Sequence, residues 1–260
     1  MARLLVGRDR TGERDTQQRL QDRVERRYIR ELEKEFRQTM KQTAKHFEET
    51  GNVKVDDEHA KRIGNILKSE AATTIEVFTD HIREALKDTI GPHVVKTERD
   101  SLVERLFQEW MRTRGMETAE DDIASSTRRQ IARMVAQGRE AGEGTSEIAR
   151  RINSRINHMS RLRSETIART ESHAAANYAQ TEAIKDAGVK ARKEWISARD
   201  DRTRDGLDSE FDHVAANGQA VELDEPFQIN GESLMFPGDP AGSAGNVINC
   251  RCATGFIVDD

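Results

Sequence analysis

The chain has 260 residues, of which 35% are apolar, 5% aromatic and 34% charged, with a formal net charge of −5. A mean hydropathy of −0.81 excludes one thick globular core throughout and favours long helices packed on narrow apolar stripes. No run of about 18 apolar residues occurs and MARLLVGRDRTGERD has no apolar leader, so neither a membrane span nor a secretory signal is expected, and synthesis in a reducing cytoplasm is.

Charge is uneven along the chain. From Arg3 to Arg30 nine arginines stand against five acidic residues, and from Asp201 to Asp260 three arginines stand against twelve. The basic front could contact nucleic acid through phosphates. Arginines interleaved with Asp and Glu on a helix also read as a solvated face.

Up to residue 188 apolar residues recur at three and four, which predicts helices. The first, over about 13–49, carries Leu20, Val24, Tyr28, Leu32, Phe36, Met40, Ala44 and Phe47. Steps of four overshoot each turn by about 40°, so this stripe winds around the helix and needs several neighbours, or other chains, to cover it. Further helices are predicted over about 57–90, stopped by Gly91–Pro92, over 98–113, and from Thr118 to the GREAGEG stretch. A fifth carries Ile148, Ile152 and Ile156, and Ser160 is read as opening a sixth that Gly188 ends.

After Gly188 the pattern changes. KARKEWIS, GQAVELD and ATGFIV read as short strands, and Pro237–Gly238 suits the centre of a type II turn. The only two cysteines, Cys250 and Cys252, are one residue apart. In an extended segment their Cα atoms would lie about 6.6 Å apart, a poor disulfide geometry. Both could face one ion, and thiolates suit Zn²⁺. His213, the only histidine of the non-helical third, is the chosen third ligand, and Asp200, Asp201, Asp212, His173 or water could supply a fourth contact. Ordinary buried thiols and a hydrogen-bonded histidine are the alternative.

In DDRTR, Asp201, Arg202 and Arg204 could grip a carboxylate or phosphate, or could pin a long loop through Asp to Arg pairs. The pair Arg169 and His173 is equally open between surface and chemistry. The sequence has no GxSxG, GxxxxGK[ST] or HExxH, and no GxGxxG after a strand, so no catalytic or cofactor-binding residue is assigned. A nuclease would need acids and a base around metal, for which Asp200, Asp201, His213 and Asp239 are the candidates.

Taken together and in order, IARTESHAAANYA, KEWISARDDRTR, DHVAANGQAVELDEPF, FPGDP and NVINCRC resemble the signature of the phage Mu F-like head morphogenesis family, minor head proteins of tailed bacteriophages, over about residues 145–258. The resemblance implies a protein of few copies that acts in head assembly around the portal and is often packaged in the virion, without established catalytic activity. Some relatives are fused to toxin domains, which would follow the motif block; with the chain ending at Asp260 none is expected. The family's motif residues fall on Trp195, Asp201, Arg202, Arg204, His213, Pro237, Gly238, Asp239, Pro240, Cys250, Arg251 and Cys252. In the usual pattern the histidine follows the second arginine by a few residues, whereas here DGLDSEFD intervenes.

The expectation is therefore a mainly α protein with a small α+β C-terminal domain: an elongated helical docking region over 1–144 and a head morphogenesis domain over 145–260. In the latter, a structural zinc on His213, Cys250 and Cys252 would fasten the last strand to the loop after Trp195. Expected partners are the portal protein, capsid or scaffold proteins and packaged DNA, met in several copies through the winding stripe of the first helix and the acidic C-terminal face. The alternatives are a metal-dependent nuclease or other hydrolase acting on DNA, and a DNA-binding packaging or ejection protein using the basic arm.

Overall fold

The computed structural model describes residues 3–6, 11–56, 58–114, 116–207 and 210–258. Arg8 and Arg10 of the basic stretch, Asp208 and Ser209 of DGLDSEFD, and the terminal Asp259 and Asp260 lie outside the described residues.

Five long helices dominate: α1 (Thr11–Thr50), α2 (His59–Thr89), α3 (Arg99–Arg114), α4 (Met116–Glu140) and α5 (Thr145–Ala187). The first four lie close to their sequence-predicted bounds. Gly91 at φ 127° and a short 3-10 turn over Pro92–Val94 end α2 as expected. The fifth and sixth expected helices are one. Residues 157–165, NHMSRLRSE, contain neither Gly nor Pro, so nothing interrupts the backbone ladder there. Ser160 caps nothing; it is fully buried, with Oγ 3.8 Å from Sδ of Met40. A small residue was needed at a tight helix contact, not a helix start.

Short strands follow. β1 (Arg3–Val6), β2 (Ala191–Ile196), β3 (Ala220–Glu222) and β6 (Ala253–Val258) form an antiparallel sheet of order β1-β6-β2-β3. β4 (Phe227–Ile229) and β5 (Glu232–Leu234) form a separate hairpin, and a four-residue helix, α6 (Ala244–Val247), precedes the cysteines. Trp195 pairs with Thr254 in the β2–β6 ladder, which places the C-terminal strand beside the strand that leads into the DDRTR loop.

The described residues divide into two compact units. One comprises those of Met1–Glu25, Glu70–Thr113 and Arg169–Asp260, the other those of Arg26–Ser69 and Arg114–Ala168. In the second unit Met40, Ala44 and Phe47 of α1 pack with Ile131, Met134 and Val135 of α4 and Ile148, Ile152 and Ile156 of α5. In the first, Trp195 sits with Phe227, Ile229, Leu234, Cys250 and Cys252.

The winding stripe of α1 is covered within the chain, with Tyr28, Leu32, Phe36, Met40, Ala44 and Phe47 all buried. It is therefore core and not a docking face, because so continuous an apolar run gains most by burial in its own fold. Among the described residues, no helix is long and apolar enough to cross a membrane.

Candidate metal centre

β2 delivers Trp195 into the core of the first unit, and the chain then turns sharply. Asp200 organises that turn, its Oδ1 accepting hydrogen bonds from the Thr203 hydroxyl (2.9 Å) and the Arg202 amide (3.2 Å), while its other oxygen pairs with Arg251 at 3.0 Å. The Arg204 carbonyl then accepts from the amides of both His213 (2.8 Å) and Val214 (3.1 Å), and Asp205 bridges Asp212 in antiparallel fashion. Asp205 and Asp212, the two ends of the DGLDSEFD stretch, are thus held together as a closed base.

From the other side, Cys250 closes a turn after α6 by donating its amide to the Val247 carbonyl at 3.1 Å, and Cys252 immediately precedes β6. Both thiols are unpaired and buried. Nδ1 of His213 lies 3.7 Å from Sγ of Cys250 and 3.6 Å from Sγ of Cys252, and the three donor atoms lie within 4.8 Å of one another. A tetrahedral ion with Zn–S near 2.3 Å and Zn–N near 2.0–2.1 Å has S to N edges of about 3.6 Å. The observed spacing matches that edge.

The tautomer is fixed by a neighbour. Nδ2 of Asn246 faces the Ile229 carbonyl at 3.4 Å, and its Oδ1 accepts from Nδ2 of Asn230 at 3.0 Å. That same Oδ1 lies 3.1 Å from Nε2 of His213, so Nε2 carries the proton and Nδ1 turns its lone pair toward the two sulfurs. An imidazole donating its far N–H to a fixed carbonyl is the arrangement by which ligating histidines are oriented. Trp195 stands edge-on to the ring at 5.5 Å between centroids, and Phe227 packs edge-on to Trp195 at 5.4 Å, keeping water out.

One thiol of the pair gives up its proton readily and the other holds it. The hydrogen bond from Cys252 holds the Cys250 thiol well below the ordinary value despite burial. The same bond, together with burial and the charge on Cys250, pushes Cys252 well above it, against the backbone N–H of Ala198. A second thiolate needs a cation between the sulfurs.

The other residues singled out in the sequence fall elsewhere. Among the described residues none of Asp200, Asp201, Asp212 or His173 joins the cluster. Asp212 receives the Ala215 amide at 2.7 Å, and His173 is pushed down to about 3 by burial and by Arg251 and Arg169. Asp201 and Arg202 are exposed, 4.0 Å apart, and form no fork, whereas Arg204 donates to the Ile248 carbonyl and so ties the loop to the segment before Cys250. Pro237 and Gly238 occupy a turn closed by the Asp239 amide on the Phe236 carbonyl at 3.1 Å, with Gly238 at φ 82°. A Cβ at Gly238 would sit 3.4 Å from the Cα of Ala174 on α5, so the glycine also permits this close approach. Both Asp239 oxygens are taken by backbone amides, of Met235 (2.7 Å) and Ala241 (2.9 Å), which removes it from any acidic metal cluster.

Two asparagines escaped the sequence reading. Asn246 was hidden because nothing local marks an amide that works on a residue 33 positions away. Asn177, buried on α5, donates to the carbonyls of Pro237 (3.0 Å) and Cys252 (3.2 Å) and accepts the Thr254 amide at 2.9 Å. A lone amide within the alanine run AAANYA was the available signal for it.

Residues 129–255 match the family described as Phage Mu protein F like protein. Over that stretch the chain is similar to the Phage Mu F-like family. The F-like segment contains all three ligand candidates together with Trp195, Asn177 and Asn246. The chain is 34% identical over 132 residues, half of its length, to the minor head protein GP7 of Bacillus phage SPP1, of which it covers 40%. It is 23% identical over 212 residues, 81% of its length, to the uncharacterized protein YqbB of Bacillus subtilis (strain 168), of which it covers 65%. It is 30% identical over 142 residues, 54% of its length, to the NAD(+)--arginine ADP-ribosyltransferase EFV of Enterococcus faecalis (strain ATCC 700802 / V583), of which it covers 27%. The chain thus spans less than two thirds of each of these relatives. No solved structure matches it.

Proposed function

We propose that this protein is a minor head protein of a tailed bacteriophage, acting in head morphogenesis beside the portal and carried in the virion in several copies. The observation that carries the reading is the family match over residues 129–255, supported by the 34% identity to a minor head protein. On this reading the chain is made in the host cytoplasm and meets the portal and the capsid or scaffold proteins through its surfaces. Residues 145–260 act as the head morphogenesis domain and residues 1–144 as the helical docking region.

The role requires no catalytic group. The hydrolase alternative draws no support from Asp201, which is exposed, or from Asp239, whose oxygens are occupied.

We further propose that His213, Cys250 and Cys252 hold a structural zinc ion. Bound there, the ion would neutralise two thiolates and tie the C-terminal strand to the loop after Trp195, and structural zinc contributes roughly 10–16 kcal/mol of apparent binding energy in small domains. The chain's own part is to aim Nδ1 through Asn246, to exclude water with Trp195, and to bring the thiols to one point through the turn after α6.

The test is a nonsense codon in this gene within the phage genome that carries it. Aberrant or DNA-free heads, or normal heads from which the protein is missing together with their infectivity, are expected. Full yields of infectious particles, with the protein absent from purified wild-type virions, would overturn the reading.

A further inference from the structure

On α1, within the second unit, Arg26, Arg30, Lys34, Arg37, Lys41 and Lys45 are all exposed. Their spacing of four, four, three, four and four keeps them within about 100° of arc over about 28 Å of helix. No Asp or Glu falls inside that arc. Two of the six have carboxylate partners, Arg37 with Glu33 at 2.8 Å and Lys45 with Glu49 at 3.9 Å. Arg26, Arg30, Lys34 and Lys41 make no ion pair among the described residues. Glu33, Gln38 and Gln42 border this open face beside Arg30, Lys34, Arg37 and Lys41.

We infer that this face of α1 is a phosphate-tracking surface for double-stranded nucleic acid. The composition of the stripe decides between partners. A specific protein interface is anchored by buried aromatic or apolar side chains at its centre, and here every exposed position of the arc is a cation. Single strands are held by stacking bases on aromatic rings, and the stripe has none. A duplex backbone asks only for cations at regular intervals, which an α-helical stripe supplies without reading sequence. Tyr28, Leu32, Phe36, Met40 and Phe47 lie outside that arc and are buried, so the cations are presented on a rigid support. The inference does not depend on the head-protein reading.

The test is fluorescence anisotropy of the full chain with two unrelated duplexes of about 20 base pairs, titrated between about 50 and 200 mM NaCl. With four to six phosphates neutralised, log K should fall against log salt with a slope of about −4 to −5, equally for both sequences. The triple variant Arg30→Gln, Lys34→Gln, Lys41→Gln should lower the magnitude of that slope by about 3 and weaken binding at low salt by at least about tenfold. A control triple, Arg128→Gln, Arg133→Gln, Lys54→Gln, removes the same charge from exposed positions off the stripe and should bind within about twofold of wild type. Unchanged circular dichroism melts would show that both variants are folded, and hydroxyl-radical footprinting of wild type on the duplex, protecting α1, gives a readout without substitution. Absence of duplex binding at low salt, preference for single strands, equal losses in both triples, or protection away from α1 would each overturn the inference.

Discussion

Nε2 of His213 lies 3.1 Å from Oδ1 of Asn246, and this contact decides which nitrogen of the ring faces the two cysteines. Asn246 is itself fully buried and held by Asn230 and Ile229, so the ring is locked by a network and not by one flexible neighbour. Asn246→Ala should therefore act on the metal site without touching a ligand. The expected outcome is a loss of about 10- to 100-fold in zinc affinity by chelator competition. The metal-free protein should lose on the order of 1–3 kcal/mol in urea melts, because buried polar groups lose their partner. Unchanged zinc affinity would show that Asn246 does not orient the ring.

Asn177 ties α5 to the PGDP turn and to the start of β6 through three buried hydrogen bonds. Asn177→Leu keeps the volume but leaves two carbonyls and one amide unsatisfied, which should cost on the order of 2–4 kcal/mol in a denaturant melt. Hydrogen exchange should locate the loss at the Thr254 amide.

Glu35 in the second unit is 6% exposed, with Oε1 accepting from Thr39 and His59 at 2.8 Å each and Oε2 from Arg62 at 2.9 Å. Burial alone would raise its carboxyl, but the bonds from His59, Arg62 and Thr39 together lower it from 4.5 to about 2. The folded value is the depressed one, so the stabilisation is complete above the ordinary value and is lost as pH falls from about 4.5 toward 2. Stability near neutral pH should drop by roughly 2–3 kcal/mol in Glu35→Gln, and the acid limb of the stability curve should flatten. A variant curve parallel to wild type through that window would refute the assignment.

The long helices were legible in the sequence because their apolar residues follow a helical period with only scattered Gly and no Pro inside the elements. The false break at Ser160 arose because serine serves equally as an N-cap and as a small residue at a tight contact, and only packing on Met40 distinguishes the two. The β4–β5 hairpin was readable in principle: Asn230 and Gly231, at φ 51° and 80°, are the turn pair such hairpins prefer. β1 pairing with β6 joins the two ends of the chain, and no local pattern could announce it. His213 was found by exclusion, and its approach to the cysteines depends on the closed base at Asp205 and Asp212. Of the four cations of α1 without ion-pair partners, Arg26 and Arg30 belong to the basic front that also reads as a solvated face, and only the fold shows that Lys34 and Lys41 share their exposed face.

Metal content of the purified protein under reducing conditions, measured beside the double variant Cys250→Ser, Cys252→Ser, tests the metal centre most directly. About one zinc ion per chain in wild type and none in the variant, with melting lowered alike by the substitutions and by a chelator, is the expected result. Wild type that carries no stoichiometric metal, takes up none when zinc is supplied, and melts unchanged with chelator would contradict it.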